Sequence, residues 1–258
     1  MDIIHTMFSR HLKEAAVVIP IYNTMLRPFE LIGLQRCFNV LSGHSIFFVA
    51  PEGLSLDELS LPPESFRVVT FSKDYFGSIA GYNKLMLSTE FYERFLDYRY
   101  ILIHQLDAFV FSDQLSYWCS LNYDYIGAPW IEGNWKDEFS HSSLGVLRKL
   151  RGKGHEYVGN GGFSLRKVKK ALLVLKVFHS MAKSWKNYED IFWGLAVPAF
   201  FPFFKVPHMD IALRFSFETN PRQCFMKNNF QLPFGCHAWE KYDIDFWRPY
   251  FAKSNYTI

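Results

Sequence analysis

The chain has 258 residues, 49% of them hydrophobic and 19% aromatic, with a formal net charge of +3. That length and apolar share support one large α/β domain with a full core, and the mild charge excludes a nucleic-acid footprint. Four scattered cysteines, Cys37, Cys119, Cys224 and Cys236, exclude a CxxC zinc site and a disulfide framework. No run reaches bilayer-crossing length, and the opening MDIIHTMFSRHLKE lacks a signal pattern, so the expected compartment is the cytoplasm.

In chain order, Ala15 to Ile21 (AAVVIPI) is β-branched and apolar, the mark of a first strand. Phe29 to Leu41 follows helical periodicity, with Leu31, Leu34, Cys37, Phe38 and Leu41 on one stripe. Ser45 to Ala50 and Arg67 to Phe71 read as further strands, which implies a mostly parallel sheet. Ser78 is an N-cap for a helix carrying Tyr82 through Leu96. It delivers the chain to Tyr100 to Phe111, where the buried strand run Tyr100 to Ile103 is broken by His104, Gln105 and Asp107 before apolar residues resume at Ala108. An acid just past the end of such a strand sits where open α/β sheets bind ligands; the alternative is that Asp107 caps the next turn.

Asp113 opens a helix, and Tyr123 to Trp130 (YDYIGAPW) forms a strand. Ile131 to Glu156 is polar and glycine-containing, as a loop over a site would be. In Tyr157 to Arg166 (YVGNGGFSLR), glycines bracket Asn160, allowing positive φ or close backbone approach; neither a dinucleotide fingerprint nor a Walker loop is present. A strand from Phe163 then leads into a helix over Lys167 to Ser180. Glu189 and Asp190 start another helix, where the helix dipole alone could account for them. Phe215 to Thr219 is a short strand, and Phe234 to Trp239 (FGCHAW) is a turn presenting His237. The basic stretches Arg148 to Lys153 and Arg166 to Lys170 fit solvated surface, or attraction to phosphates of a nucleotide or of an anionic membrane face.

Asp107, the Asn160 turn, Glu189-Asp190 and His237 all lie at element ends. One carboxylate and one imidazole suit Mn²⁺ or Mg²⁺, with diphosphate oxygens completing the shell. A second carboxylate could take a proton from an acceptor hydroxyl. That is the chemistry of glycosyl transfer from a nucleotide sugar. A histidine in such a turn can equally be a hydrogen-bonded structural residue.

The segments Gln105-Leu106-Asp107, Tyr125 to Trp130, Asn160 to Arg166 and Phe234 to His237, in that order, resemble a family of glycosyltransferase-like domains of unknown function from bacterial polysaccharide loci and fungi. The resemblance implies a glycosyltransferase-A fold: a Rossmann-like, mostly parallel central sheet with helices on both faces. It implies one domain, with a nucleotide-binding half at about 15–110 and an acceptor-binding half at about 120–240. Asp107 takes the place of the last acid of a DxD metal motif; Gln105 stands where its first acid usually is, a departure that bears on metal use. Tyr22, Asn83, Lys84, Gln105 and Asp107 would meet a UDP-sugar donor, and Asp107 with His237 the metal. Trp130, Asn160, Gly161, Gly162 and Trp239 would meet the acceptor, although both tryptophans could instead pack at a pocket wall. Asp190, or Glu189, would be the base of an inverting displacement. The acceptor would be a saccharide or lipid-linked sugar in O-antigen or capsule synthesis, reached by peripheral contact with the cytoplasmic membrane. The alternative is a sugar- or nucleotide-binding module that kept the fold without catalysis. A nucleotidyltransferase is disfavoured, because Ile21 to Arg27 has no glycine to hold a triphosphate.

Overall fold

The computed structural model describes residues 12–131 and 157–258. The N-terminal signal reading, nearly all of the loop expected from Ile131 to Glu156 and the basic run at Arg148 to Lys153 therefore fall mostly or wholly outside the described residues.

The centre is a six-stranded sheet. Its strands are β1 (Lys13–Pro20), β2 (Ser45–Pro51), β3 (Arg67–Phe71), β4 (Tyr98–His104), β6 (Tyr125–Ile126) and β9 (Phe163–Lys167), in the order β3-β2-β1-β4-β9-β6. β1 to β4 are mutually parallel, whereas β9 runs antiparallel to both β4 and β6. The sheet is thus α/β and mostly parallel, as expected, with one reversed strand that the residue pattern did not reveal.

Both faces are covered, which is why the strands read as unbroken apolar runs. Ala16, Val18, Ile101 and Ile103 face one core with helices α2 (Ile79–Met86), α3 (Thr89–Glu93) and Val168–Val177. Ala15, Val17, Ile19, Tyr100 and Leu102 face the other, under α1 (Pro28–Leu41) and α4 (Leu115–Ser120). A third cluster joins Phe109, Phe217, Cys236 and Trp239 to the C-terminal helix Ile244–Ala252.

The Ser78 hydroxyl caps α2, accepting from the Gly81 N–H at 3.1 Å. The single helix expected there is two: Ser88 caps α3 through the Phe91 N–H, also at 3.1 Å. Two further expectations are corrected. Tyr123 to Trp130 breaks at Gly127 into β6 and β7 (Pro129–Trp130), the latter pairing with β8 (Tyr157–Val158). His237 belongs not to a turn but to β11 (Gly235–His237), which lies between β10 (Ser216–Phe217) and β5 (Ala108–Val110). This small sheet carries His237 back to the end of β4. From α1, Arg36 Nε donates to the Val110 carbonyl at 2.8 Å and so ties the helix to the strand that follows Asp107. Among the described residues no helix is long and apolar enough to cross a membrane.

Candidate functional site

A cleft of about 890 Å³ opens beyond the C-terminal ends of β1 and β4. Tyr22, Asn83, Gln105, Asp107, Trp130, Asn160, Gly161, Gly162, Glu189, Asp190 and His237 all line it. Segments far apart in the chain therefore meet where strand order places a ligand crevice.

On one wall the Asp107 carboxylate faces the His237 imidazole. Its Oδ1 lies 3.2 Å from His237 Nε2, and Gln105 Oε1 lies 3.1 Å from the same nitrogen. The other ring nitrogen, Nδ1, is 3.1 Å from Glu218 Oε1. Burial alone would lower the pKa of His237, but Asp107 and Glu218 outweigh it and hold the imidazole well above its usual range. For Asp107, burial pushes upward and is outweighed by the facing imidazole, so its pKa falls below the usual carboxylate range. A divalent cation fits this set in one form. Glu218 would keep the hydrogen on Nδ1, leaving Nε2 and Asp107 to hold the ion, with a carboxylate behind the imidazole as in many metal sites. Among the described residues no three His, Cys, Asp or Glu side chains cluster at metal-holding spacing, so the rest of the shell would come from Gln105, ligand and water.

The opposite side is built on β9. Arg166 and Glu189 form a 2.8 Å ion pair with side chains only 1% and 3% exposed. Arg166 also donates to the Tyr92 hydroxyl and the Ser164 hydroxyl, each at 3.1 Å. The expectation of a solvated basic surface at Arg166 is thus corrected: the guanidinium is core. Glu189 Oε1 is committed to it, while Oε2 is buried with no partner among the described residues.

Among the described residues Asp190 has no counter-cation. Its Oδ2 accepts from the Asn160 N–H at 3.1 Å and its Oδ1 from the Ile191 N–H at 2.8 Å. Burial, then Glu189 and Glu218, push its carboxyl up to about 7.

Between the two clusters runs the Asn160-Gly161-Gly162 turn. The positive φ, 67°, belongs to Asn160 rather than to its neighbouring glycines; Asn160 Oδ1 accepts from the Gly162 N–H at 3.0 Å and stabilises that conformation. The glycines serve close approach instead. A Cβ on Gly161 would lie 1.9 Å from Glu189 Oε1, and one on Gly162 would lie 2.1 Å from His237 Nε2. Asn160 Nδ2 is left buried without a partner among the described residues.

Two expected residues are not at the cleft. Lys84 points outward from α2 and is exposed; among the described residues Arg27 and Lys241 are the arginine and lysine that line the cleft. Trp239 is 1% exposed and packs edge-on against Phe29 and Phe251. Trp130 does line the cleft. Glu218 was not read as a site residue, although it lay inside the strand expected over Phe215 to Thr219, which in the structure ends at Phe217. Its only signal was position, an acid at a strand end, and nothing in the residue pattern says that β10 lies beside β11.

The fold is that of the glycosyltransferase-A enzymes. The galactosyltransferase LgtC, in complex with donor and acceptor sugar analogues, superposes with a TM-score of 0.53 at 16% identity, over 86% of each chain. Mouse xyloside xylosyltransferase 1 matches over 87% of this chain and 97% of its own, with a TM-score of 0.51 at 10% identity. The bifunctional glycosyltransferase WbbM matches over 88% of this chain but 46% of its own, with a TM-score of 0.54 at 13% identity. The search of curated proteins finds no match. Residues 65–237 match the family described as Protein of unknown function (DUF5672), and the chain belongs to that family.

Proposed function

We propose that the chain is a glycosyltransferase that moves a hexose from a UDP-sugar to a hydroxyl of a saccharide or lipid-linked acceptor in surface polysaccharide synthesis. The observation that carries this reading is the cleft floor. Asn160 Nδ2 and Glu189 Oε2, a donor and an acceptor, are buried there without partners among the described residues, beside an Asp190 carboxyl pushed to about 7. Buried polar atoms without partners are costly, and a ligand rich in hydroxyls would satisfy both. Support also comes from the fold shared with sugar transferases, one of them seen with donor and acceptor analogues.

In the proposed reaction the acceptor oxygen attacks the anomeric carbon, its proton passes to Asp190, and the bond from that carbon to the diphosphate oxygen breaks with its electron pair leaving on UDP. A carboxyl near neutrality suits the role of base. Asp107 and His237 would hold Mn²⁺ or Mg²⁺, whose positive charge would stabilise the leaving diphosphate. Arg27 and Lys241 would add their own positive charge at the cleft edge.

The test is UDP release from a panel of UDP-hexoses with saccharide acceptors, with Mn²⁺ and with chelator, for the wild type and Asp190→Asn. Acceptor-dependent release that Asp190→Asn abolishes supports transfer with this base. Binding of a UDP-sugar without turnover under any divalent metal would favour the non-catalytic binding module, a reading motivated by Gln105 in place of the first acid of a DxD motif.

A further inference from the structure

We infer that the face formed by the outer side of helix Val168–Val177 and by the 200–205 segment docks on an anionic lipid bilayer. The helix buries Val168, Ala171, Leu172, Val174 and Leu175 against the sheet. Its exposed positions are Lys169, Leu173, Lys176 and Val177, spaced so that they share one side. That side alternates ammonium groups with apolar side chains.

The face continues without a break. Phe178 packs on Phe201 with ring centroids 6.3 Å apart, Phe201 meets Phe203 at 6.2 Å, and Lys170 Nζ lies 5.0 Å over the Phe201 ring. Leu173 is 47% exposed, Val177 63%, Phe200 49% and Phe203 75%. Exposure on this scale at four large apolar residues of one face asks for an occupant.

Charge decides which. From Lys167 to Met209 the chain carries seven lysines and two acids, Glu189 and Asp190, both of which line the cleft instead of this face. Asp124 is buried and holds Lys167 at 3.4 Å and Lys170 at 3.9 Å. Lys169, Lys176, Lys183, Lys186 and Lys205 form no ion pair among the described residues. On the flank, α3 adds Glu90 and Glu93, with Glu90 3.9 Å from Arg94. Lysine is depleted at protein–protein interfaces, whereas unpaired lysines around inserted phenylalanine and leucine are what an anionic membrane interface selects. No residue of this face lines the cleft, so docking would leave the cleft open, and the inference stands whether or not the cleft transfers sugar.

The test is co-sedimentation of the full chain with vesicles of phosphatidylcholine and phosphatidylglycerol in equal parts, against pure phosphatidylcholine. Binding to the anionic vesicles alone, weakened by salt, is expected. The charge reversal K169E/K176E/K205E should weaken it at least a hundredfold, since each lysine contributes about fivefold. The apolar variant V177S/F203S should weaken it about tenfold or more, with unchanged circular dichroism. Reversal of Lys73 and Lys253, which lie elsewhere, should have little effect. Equal binding by the control and face variants, or no binding to anionic vesicles, would overturn the inference. So would self-association lost in V177S/F203S without vesicle binding, because a second copy would then be the occupant.

Discussion

Gly161 and Gly162 stand between two charged clusters, and the clusters solve the burial of carboxylates differently. At the His237 wall one imidazole sits between Asp107 and Glu218, so a cation is shared and Asp107 is held ionised. On the β9 side Arg166 pairs with the Glu189 carboxylate, and Asp190, the next residue, is left with two backbone N–H groups and a pKa of about 7. Neighbours in sequence thus have opposite electrostatic fates. The acid with a cation is structural, and the one without is the group able to exchange a proton near neutral pH.

Replacing Asp190 should separate these fates most sharply. Asp190→Asn is expected to lower kcat about 10²- to 10⁴-fold while UDP-sugar binding, followed by calorimetry, stays near wild type. The same change should stabilise the fold in mild alkali. Between its ordinary value and about 7, folded Asp190 keeps a proton that the unfolded chain has released, so stability falls as pH rises through that window. Urea unfolding at about pH 8 should show the Asp190→Asn variant more stable than wild type by on the order of a few kcal/mol, and the gain should vanish at about pH 4.

The paired acid should behave in the reverse way. Arg166→Met leaves Glu189 charged and buried and should cost about 3–5 kcal/mol of folding stability. The double change Arg166→Met with Glu189→Leu should recover most of it, read from the same urea curves. A loss in the double variant equal to that in the single one would mean that packing, not charge, explains the site.

Smaller effects sharpen the contrast between the glycines. Gly161→Ala presses on Glu189 and should cost about 1–3 kcal/mol of stability. Gly162→Ala presses on His237 and should chiefly weaken donor or metal binding. At the His237 wall, Glu218→Gln should weaken the apparent Mn²⁺ affinity about 10- to 100-fold with little change in melting temperature. Titration of Mn²⁺ followed by turnover would detect it.

How legible these features were depended on how local their causes are. β1, β2 and β4 announce themselves because both faces of each are buried, so each is a nearly continuous apolar run, whereas the edge strand β3 is mostly exposed and shows itself only by its β-branched residues. Asp107, Asn160, Asp190 and His237 were readable as polar residues at element ends, and the cleft brings them together. Arg166 was misplaced because a basic residue beside Lys167, Lys169 and Lys170 looks like surface; only the strand's alternation, which aims it toward Glu189, buries it. Lys84 and Trp239 were misassigned for a similar reason, since helix phase turns Lys84 out and the C-terminal helix covers Trp239. β9's reversal and Glu218's contact with His237 depend on which strands pair, and strands of two to five residues carry almost no pairing information.

The most direct test of the account is the pH dependence of acceptor-dependent UDP release, with the glycoside product identified by mass spectrometry, for wild type and Asp190→Asn. The account predicts wild-type kcat/KM rising through a midpoint of about 7 toward alkaline pH, as Asp190 loses its proton, and a nearly flat, residual rate for the variant. An unchanged rate and profile in Asp190→Asn, or no glycoside from any UDP-hexose, would contradict it.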